Sequence, residues 1–265
     1  MKRLILTALA TLLLAACATS PTGRSQLMLV SPSQISDMGI ATFNEMRDAG
    51  KFANAPDKRA YATCVADALI SVLPPPWSRE NWQVAIIDDP SPNAFALPGG
   101  RIGVNLGMFK VARTPAELAA VLGHELAHVV AHHPAERVSD HLAAQLGVAA
   151  ASSYAATRGI NPSTAQALLG AGTQVALLLP FSRTQESEAD VLGQRYMAQA
   201  GFDPQAAVTL WQNMQQAHPS GGGATFLSTH PSPGNRIARL SANVPGLEPV
   251  YRAARANGHA PKCSM

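Results

Sequence analysis

His124 and His128 stand four residues apart, with Glu125 directly after the first, in the run His124-Glu125-Leu126-Ala127-His128. On an α-helix that spacing puts both imidazoles on one face, one turn apart. Two imidazoles so placed can grip one zinc ion. Glu125 would stand beside the ion as a base toward an activated water. The chemistry those residue types allow is zinc-assisted hydrolysis.

The flanking residues supply the helix. Thr114-Pro115-Ala116-Glu117 reads as an N-cap, a proline at the first helical position and a capping-box glutamate. Leu118, Val121, Leu122, Leu126, Val129 and Val130 then recur at helical spacing, and Pro134 is expected to close the run. Three polar groups in so apolar a helix would be costly without a partner such as a metal.

A third ligand must come from elsewhere. A metzincin carries a glycine and then a third histidine at fixed places after the second histidine. Ala131 and Pro134 occupy those places here, so that class is excluded. A later helix supplies a carboxylate instead. Ser182 and Gln185 form a second capping box, and Gly201 is a good stop. Glu186 and Asp190, four apart, share a face: Glu186 can bind zinc while Asp190 takes a histidine N–H. Glu188 is expected to point elsewhere, into solvent.

At this point the chain resembles the membrane-associated zinc peptidases of family M48, the BepA-, LoiP- and HtpX-like enzymes. Four segments carry the resemblance: the stretch from Asn93 through Pro98-Gly99-Gly100-Arg101, the histidine motif with His133, Ser182-Arg183 leading to Glu186 and Asp190, and Thr229-His230-Pro231 followed by Arg236. It implies a gluzincin-type zincin fold, one zinc per chain on His124, His128 and Glu186, and catalysis by Glu125 with Asp190 orienting a histidine. It also implies that an edge strand beside the active helix binds substrate backbone by strand addition, with Gly99, Gly100 and Arg101 at the substrate. A histidine matching His230 lies near the metal in such members. It would be a fourth ligand holding the enzyme inactive, or with Arg236 a donor to the oxyanion. His132 and His133 read as structural or supporting polar groups.

The N-terminus addresses the chain to a compartment. Lys2-Arg3, a short apolar run and Leu14-Ala15-Ala16-Cys17 resemble a bacterial lipoprotein signal, too short to span a membrane. Cleavage before Cys17 and acylation of its thiol would anchor the chain by lipid. Ala18 after the cysteine, by resemblance to Gram-negative lipoproteins, favours the periplasmic face of the outer membrane. Without Lys2 and Arg3 the chain keeps 18 basic against 17 acidic residues, which gives no case for nucleic acid. Cys64 and Cys263 remain, and in an oxidising compartment they could pair.

The organisation expected is a signal peptide over 1–16, a lipidated tether over 17–30, a zinc metallopeptidase domain over 31–245 and a short tail over 246–265. No helical-repeat extension is expected. The fold class is mainly α with a small β-sheet (α+β). Helices are expected from Ser31 to Gly50, Pro56 to Leu73, Asp203 to Ala217 and Gly234 to Ala242, and short strands over 82–87, 94–97 and 102–105. Residues 142–156 and 165–179 hold no charge and read as two buried or lid-forming helices. The function expected is a membrane-anchored endopeptidase acting on misfolded or stalled envelope polypeptides, with outer-membrane assembly machinery as a candidate partner. The alternative is a chaperone or assembly factor with a latent or structural zinc site.

Overall fold

The computed structural model describes residues 17–157, 181–217, 230 and 234–265. The signal segment, the second apolar run at 165–179 and the glycine loop at 221–223 lie outside those residues. The described chain carries strands β1 (Cys17–Thr19) and β2 (Ser25–Leu27), helices α1 (Pro32–Asp48) and α2 (Pro56–Ile70), and strands β3 (Gln83–Ile87), β4 (Ala94–Leu97) and β5 (Arg101–Asn105). Helices α3 (Met108–Val111), α4 (Pro115–Val130), α5 (His133–Thr157), α6 (Arg183–Gln199), α7 (Gln205–Ala217) and α8 (Arg236–Ala256) follow. The fold is thus mainly helical with small sheets. Among the described residues no helix is long and apolar enough to cross a membrane.

Two units divide the chain, one of residues 1–32 and 134–179, the other of residues 33–133 and 180–265. In the first, the segment read as a tether pairs β1 with β2 antiparallel, Cys17 opposite Leu27. Its loop is tied to α5: Arg24 pairs with Glu136, Gln26 donates to the same carboxylate at 3.1 Å, and the Leu29 N–H donates to Ser139 Oγ at 2.8 Å. Of the two alternatives for residues 142–156, buried or lid-forming, the buried one does not hold at Leu146 and Tyr154. Leu146 and Tyr154 are 67% and 62% exposed, because a run of alanine, glycine and serine defines no apolar stripe that must be covered.

The second unit is built around α4, where every residue from Glu117 to Val130 is buried. The capping box forms, Thr114 Oγ1 accepting from the Glu117 N–H and Glu117 accepting from the Thr114 N–H. Leu118, Leu122 and Leu126 meet Val65 and Leu69 of α2, Ile102 and Val104 of the sheet, and Leu210 and Met214 of α7 in one core. The sheet order is β3-β5-β4, β3 parallel and β4 antiparallel to the central β5. Among the described residues strand β4 is therefore an edge, and it packs on α4.

Two helix ends differ from expectation. Pro134 does not merely end α4. That helix stops at Val130, His132 turns left-handed at φ 57°, and Pro134 sits in the first turn of α5, where its missing N–H costs nothing. Helix α8 runs on to Ala256 through Pro245 and Pro249, since each proline removes one hydrogen bond while its fixed φ still suits a helix. Beyond α8, Cys263 is disulfide-bonded to Cys64 on α2.

Helices α4 and α6 cross at Gly123 and Gly193. A Cβ on Gly193 would lie 2.7 Å from the His124 nitrogen and 2.8 Å from the Gly123 carbonyl carbon. Glycine costs about 1 kcal/mol against alanine inside a helix, so the close crossing is what it serves. The obstructing atoms are backbone and cannot rotate away. Gly193→Ala should therefore part the helices, cost about 1–3 kcal/mol and lower zinc content. Thermal melting and metal analysis check this. Unchanged zinc at unchanged stability would show that the spacing is not critical.

Candidate metal centre

The crossing of α4 and α6 brings the expected ligands together. His124 and His128 from α4, Glu186 from the first turn of α6 and His230 offer one donor atom each, all within 4.8 Å of one another and all buried. The Nε2 atoms of His124 and His128 are 3.1 Å apart. Glu186 lies 3.3 Å from His124 Nε2 and 3.4 Å from His128 Nε2, and His230 Nδ1 lies 2.9 Å from Glu186 and 3.4 Å from His124. Tetrahedral ligands at about 2.0–2.1 Å from a zinc ion stand about 3.3–3.4 Å apart, so this donor set has nearly the required spread. The chemistry of the set, imidazole nitrogens with a carboxylate, also suits zinc. Glu186 Oε2 is buried and accepts no well-aligned hydrogen bond, as a metal-facing oxygen would.

Charge at the site is strongly redistributed. Burial and the Arg236 charge oppose protonation of His124, but Glu186 and Asp190 outweigh both and push its pKa up to about 9. Burial holds His128 well below its ordinary value. Burial would raise Glu186, yet His124, His128 and His230 hold it far below the usual carboxylate range. Glu125 is raised, chiefly by burial. A group whose folded pKa lies above its ordinary 6.5, as for His124, contributes stability that is complete below pH 6.5 and is lost as pH climbs through 9. Protein stripped of metal with EDTA should therefore melt at progressively lower temperature from pH 6.5 to 9. Zinc-loaded protein, with that proton displaced, should show a flatter profile. A flat profile in EDTA would contradict a charged His124.

Supporting residues surround the donors. Asp190 Oδ1 lies 3.1 Å from His124 Nδ1. Arg236, named above only as a candidate oxyanion donor, gives its Nε and Nη2 protons to that same oxygen at 2.9 and 2.5 Å, and its Nη1 stands 3.3 Å from Glu186. Its guanidinium stacks on Trp211, 3.4 Å from the ring centroid. Nothing in the sequence pointed to Trp211, which sits at an ordinary apolar position of α7. Glu125 approaches His230 Nε2 at 3.5 Å.

Glu188 corrects an expectation. It is 5% exposed rather than solvated, and its Oε2 lies 3.2 Å from His133 Nε2. Helix α6 keeps an exposed stripe at Thr184, Val191 and Arg195, and Glu188 lies in line with it yet is covered where it meets His133. His133 in turn sits 2.8 Å from His128, and the Phe181 ring stacks on His128 at 3.8 Å.

The expected substrate residues lie in the turn between β4 and β5. Gly99 and Gly100 take φ of 83° and 72°, and a Cβ on Gly100 would meet the Asn81 carbonyl at 2.7 Å. The Arg101 guanidinium folds back on the same turn, donating to the Gly99 and Gly100 carbonyls at 2.6 and 3.1 Å. Arg101 also reaches the Asn81 carbonyl at 3.3 Å. Cys17, the expected lipidation site, opens β1.

A model of Peptidase family M48 matches residues 56–244. The chain is 44% identical over 170 residues to the mitochondrial metalloendopeptidase OMA1 of Schizosaccharomyces pombe, an overlap of 62% of this chain and 47% of that protein. It is 32% identical over 238 residues to the mitochondrial metalloendopeptidase OMA1 of Bos taurus, covering 84% and 45%. It is 28% identical over 233 residues to the beta-barrel assembly-enhancing protease of Escherichia coli, covering 86% and 47%. The chain spans about half the length of these relatives.

Proposed function

The chain belongs to Peptidase family M48, and from that premise we propose that it is a zinc-dependent endopeptidase of the bacterial envelope, acting on misfolded or stalled envelope and outer-membrane polypeptides. The observation that carries the reading is the buried cluster of His124, His128 and Glu186 with Glu125 beside it. Zinc, when bound there, supplies Lewis acidity toward water and a substrate carbonyl. Glu125 takes the proton of the attacking water on its carboxylate and delivers it to the leaving amine. Burial raises its proton affinity, which suits a base that must hold and then return a proton. Asp190 orients His124, and Arg236 orients Asp190. The edge strand β4, packed on the active helix, is where a substrate backbone would add as a further strand.

The envelope assignment draws on the lipoprotein-like Cys17 motif and on likeness to the Escherichia coli protease, whose name ties it to β-barrel assembly. Lipidation of Cys17, periplasmic placement and contact with assembly machinery belong to this proposal. Zinc content and casein cleavage of the chain, before and after EDTA, test the core of it. One zinc per chain, with cleavage lost on chelation and restored by zinc, is the expected result. A chain that takes up no zinc would end the reading.

A second reading, an assembly factor whose zinc site is closed, draws on His230. Its Nδ1 stands among the ligands, in the place a catalytic site leaves open for water. We expect His230→Ala to raise casein cleavage severalfold with zinc retained. A fall in cleavage would instead assign His230 to the oxyanion.

A further inference from the structure

His124 and His128 are held differently. His124 faces a carboxylate directly, Asp190 at 3.1 Å. His128 reaches one only through another ring: its Nδ1 meets His133 Nδ1 at 2.8 Å, and His133 Nε2 meets Glu188 Oε2 at 3.2 Å. All three side chains are buried, Glu188 on the far side of α6 from the ligand Glu186. The function proposed above makes no use of His133 or Glu188.

Resting on the zinc reading, we propose that Glu188 and His133 are positioning residues that fix the tautomer of His128, leaving its Nε2 bare for the metal. The proton order follows from what each group can donate. An ionised carboxylate only accepts, so His133 Nε2 carries the proton in the contact with Glu188. The relay requires His133 to be neutral, and a neutral imidazole with a protonated Nε2 has a bare Nδ1. Two facing Nδ1 atoms at 2.8 Å need one donor and one acceptor, so His128 Nδ1 must carry the proton. Its Nε2 is then a lone pair, turned toward His124 Nε2 at 3.1 Å and Glu186 at 3.4 Å. Without this relay His128 is free to place its proton on Nε2, where it would have to be removed before zinc could bind. The Phe181 ring against His128 holds the plane of the imidazole but cannot choose its tautomer.

The test is zinc affinity by competition with a chromogenic chelator, using the full chain as wild type, His133→Leu, His133→Gln and Glu188→Leu, with melting temperature alongside. Losing such a partner typically weakens zinc by about 10–100-fold, and His133→Leu and Glu188→Leu should do so. His133→Gln should recover most of the loss, because its amide oxygen accepts from His128 and its NH2 donates to Glu188. Side-chain ¹⁵N NMR of the zinc-free wild type should show His128 protonated at Nδ1, a readout that needs no variant to fold. Wild-type affinity in His133→Leu, a glutamine no better than leucine, or His128 protonated at Nε2 would each overturn the relay while the zinc reading stands. Failure of the wild type to take up zinc would overturn both.

Discussion

Glu125→Gln should retain one zinc per chain and lose casein cleavage by about 10²–10⁴-fold. Glutamine has the same shape and can still hold a water, but it cannot take the proton from one. Glu125 is not among the grouped donor atoms, so removing its charge leaves the ligand set intact. Its side chain is buried, and burial already opposes its ionisation, so the neutral replacement should cost little stability. Cleavage and metal content must be read from the same preparation. Loss of both would mean that Glu125 helps build the site. Full cleavage with zinc retained would remove the base from the mechanism and favour the assembly-factor reading.

The second large effect concerns folding. Arg236 is 2% exposed and faces two buried carboxylates, Asp190 and Glu186. Arg236→Met keeps much of the volume but strands those charges, and breaking a buried pair from one side costs about 3–5 kcal/mol. At roughly 2–4 °C per kcal/mol for a chain of this class, the melting temperature should fall by about 6–20 °C. Arg236→Lys should recover only part of this. Lysine restores the charge but neither the planar fork that reaches Asp190 through two nitrogens nor the stacking on Trp211. Thermal melting of both variants decides it. A melting temperature within 2 °C of wild type in Arg236→Met would show that the carboxylates find water or another cation instead.

How much of this could be read from the chain depends on the range of the interaction. The two capping boxes, Thr114 to Glu117 and Ser182 to Gln185, were legible because a cap is made within four residues. The metal motif was legible for the same reason, since one helical turn relates His124 to His128. Glu186 and Asp190 stood out because four residues of separation give them one face. Glu188 was misplaced because its position falls in line with the exposed residues Thr184, Val191 and Arg195 of α6, and only packing against His133 covers it. The extent of α8 was misjudged because proline reads as a stop, although it is tolerated where the surroundings hold the helix.

The sequence by itself determined the chemistry and the elements that bear it: an HExxH helix, a later acidic helix, and a small sheet between α2 and α4. Those follow from residue types and from spacings shorter than two helical turns, where backbone geometry relates one side chain to the next. Only the tertiary structure decided which groups meet across long separations. It put Gly123 against Gly193 so that His124 and Glu186 come within 3.3 Å, stacked Arg236 on Trp211 beside Asp190, and gave His128 its distant carboxylate through His133. The reason is physical. Contacts between helices depend on how closely two backbones can approach and on which buried charges must find partners, and both are properties of the packed molecule rather than of any local run of residues.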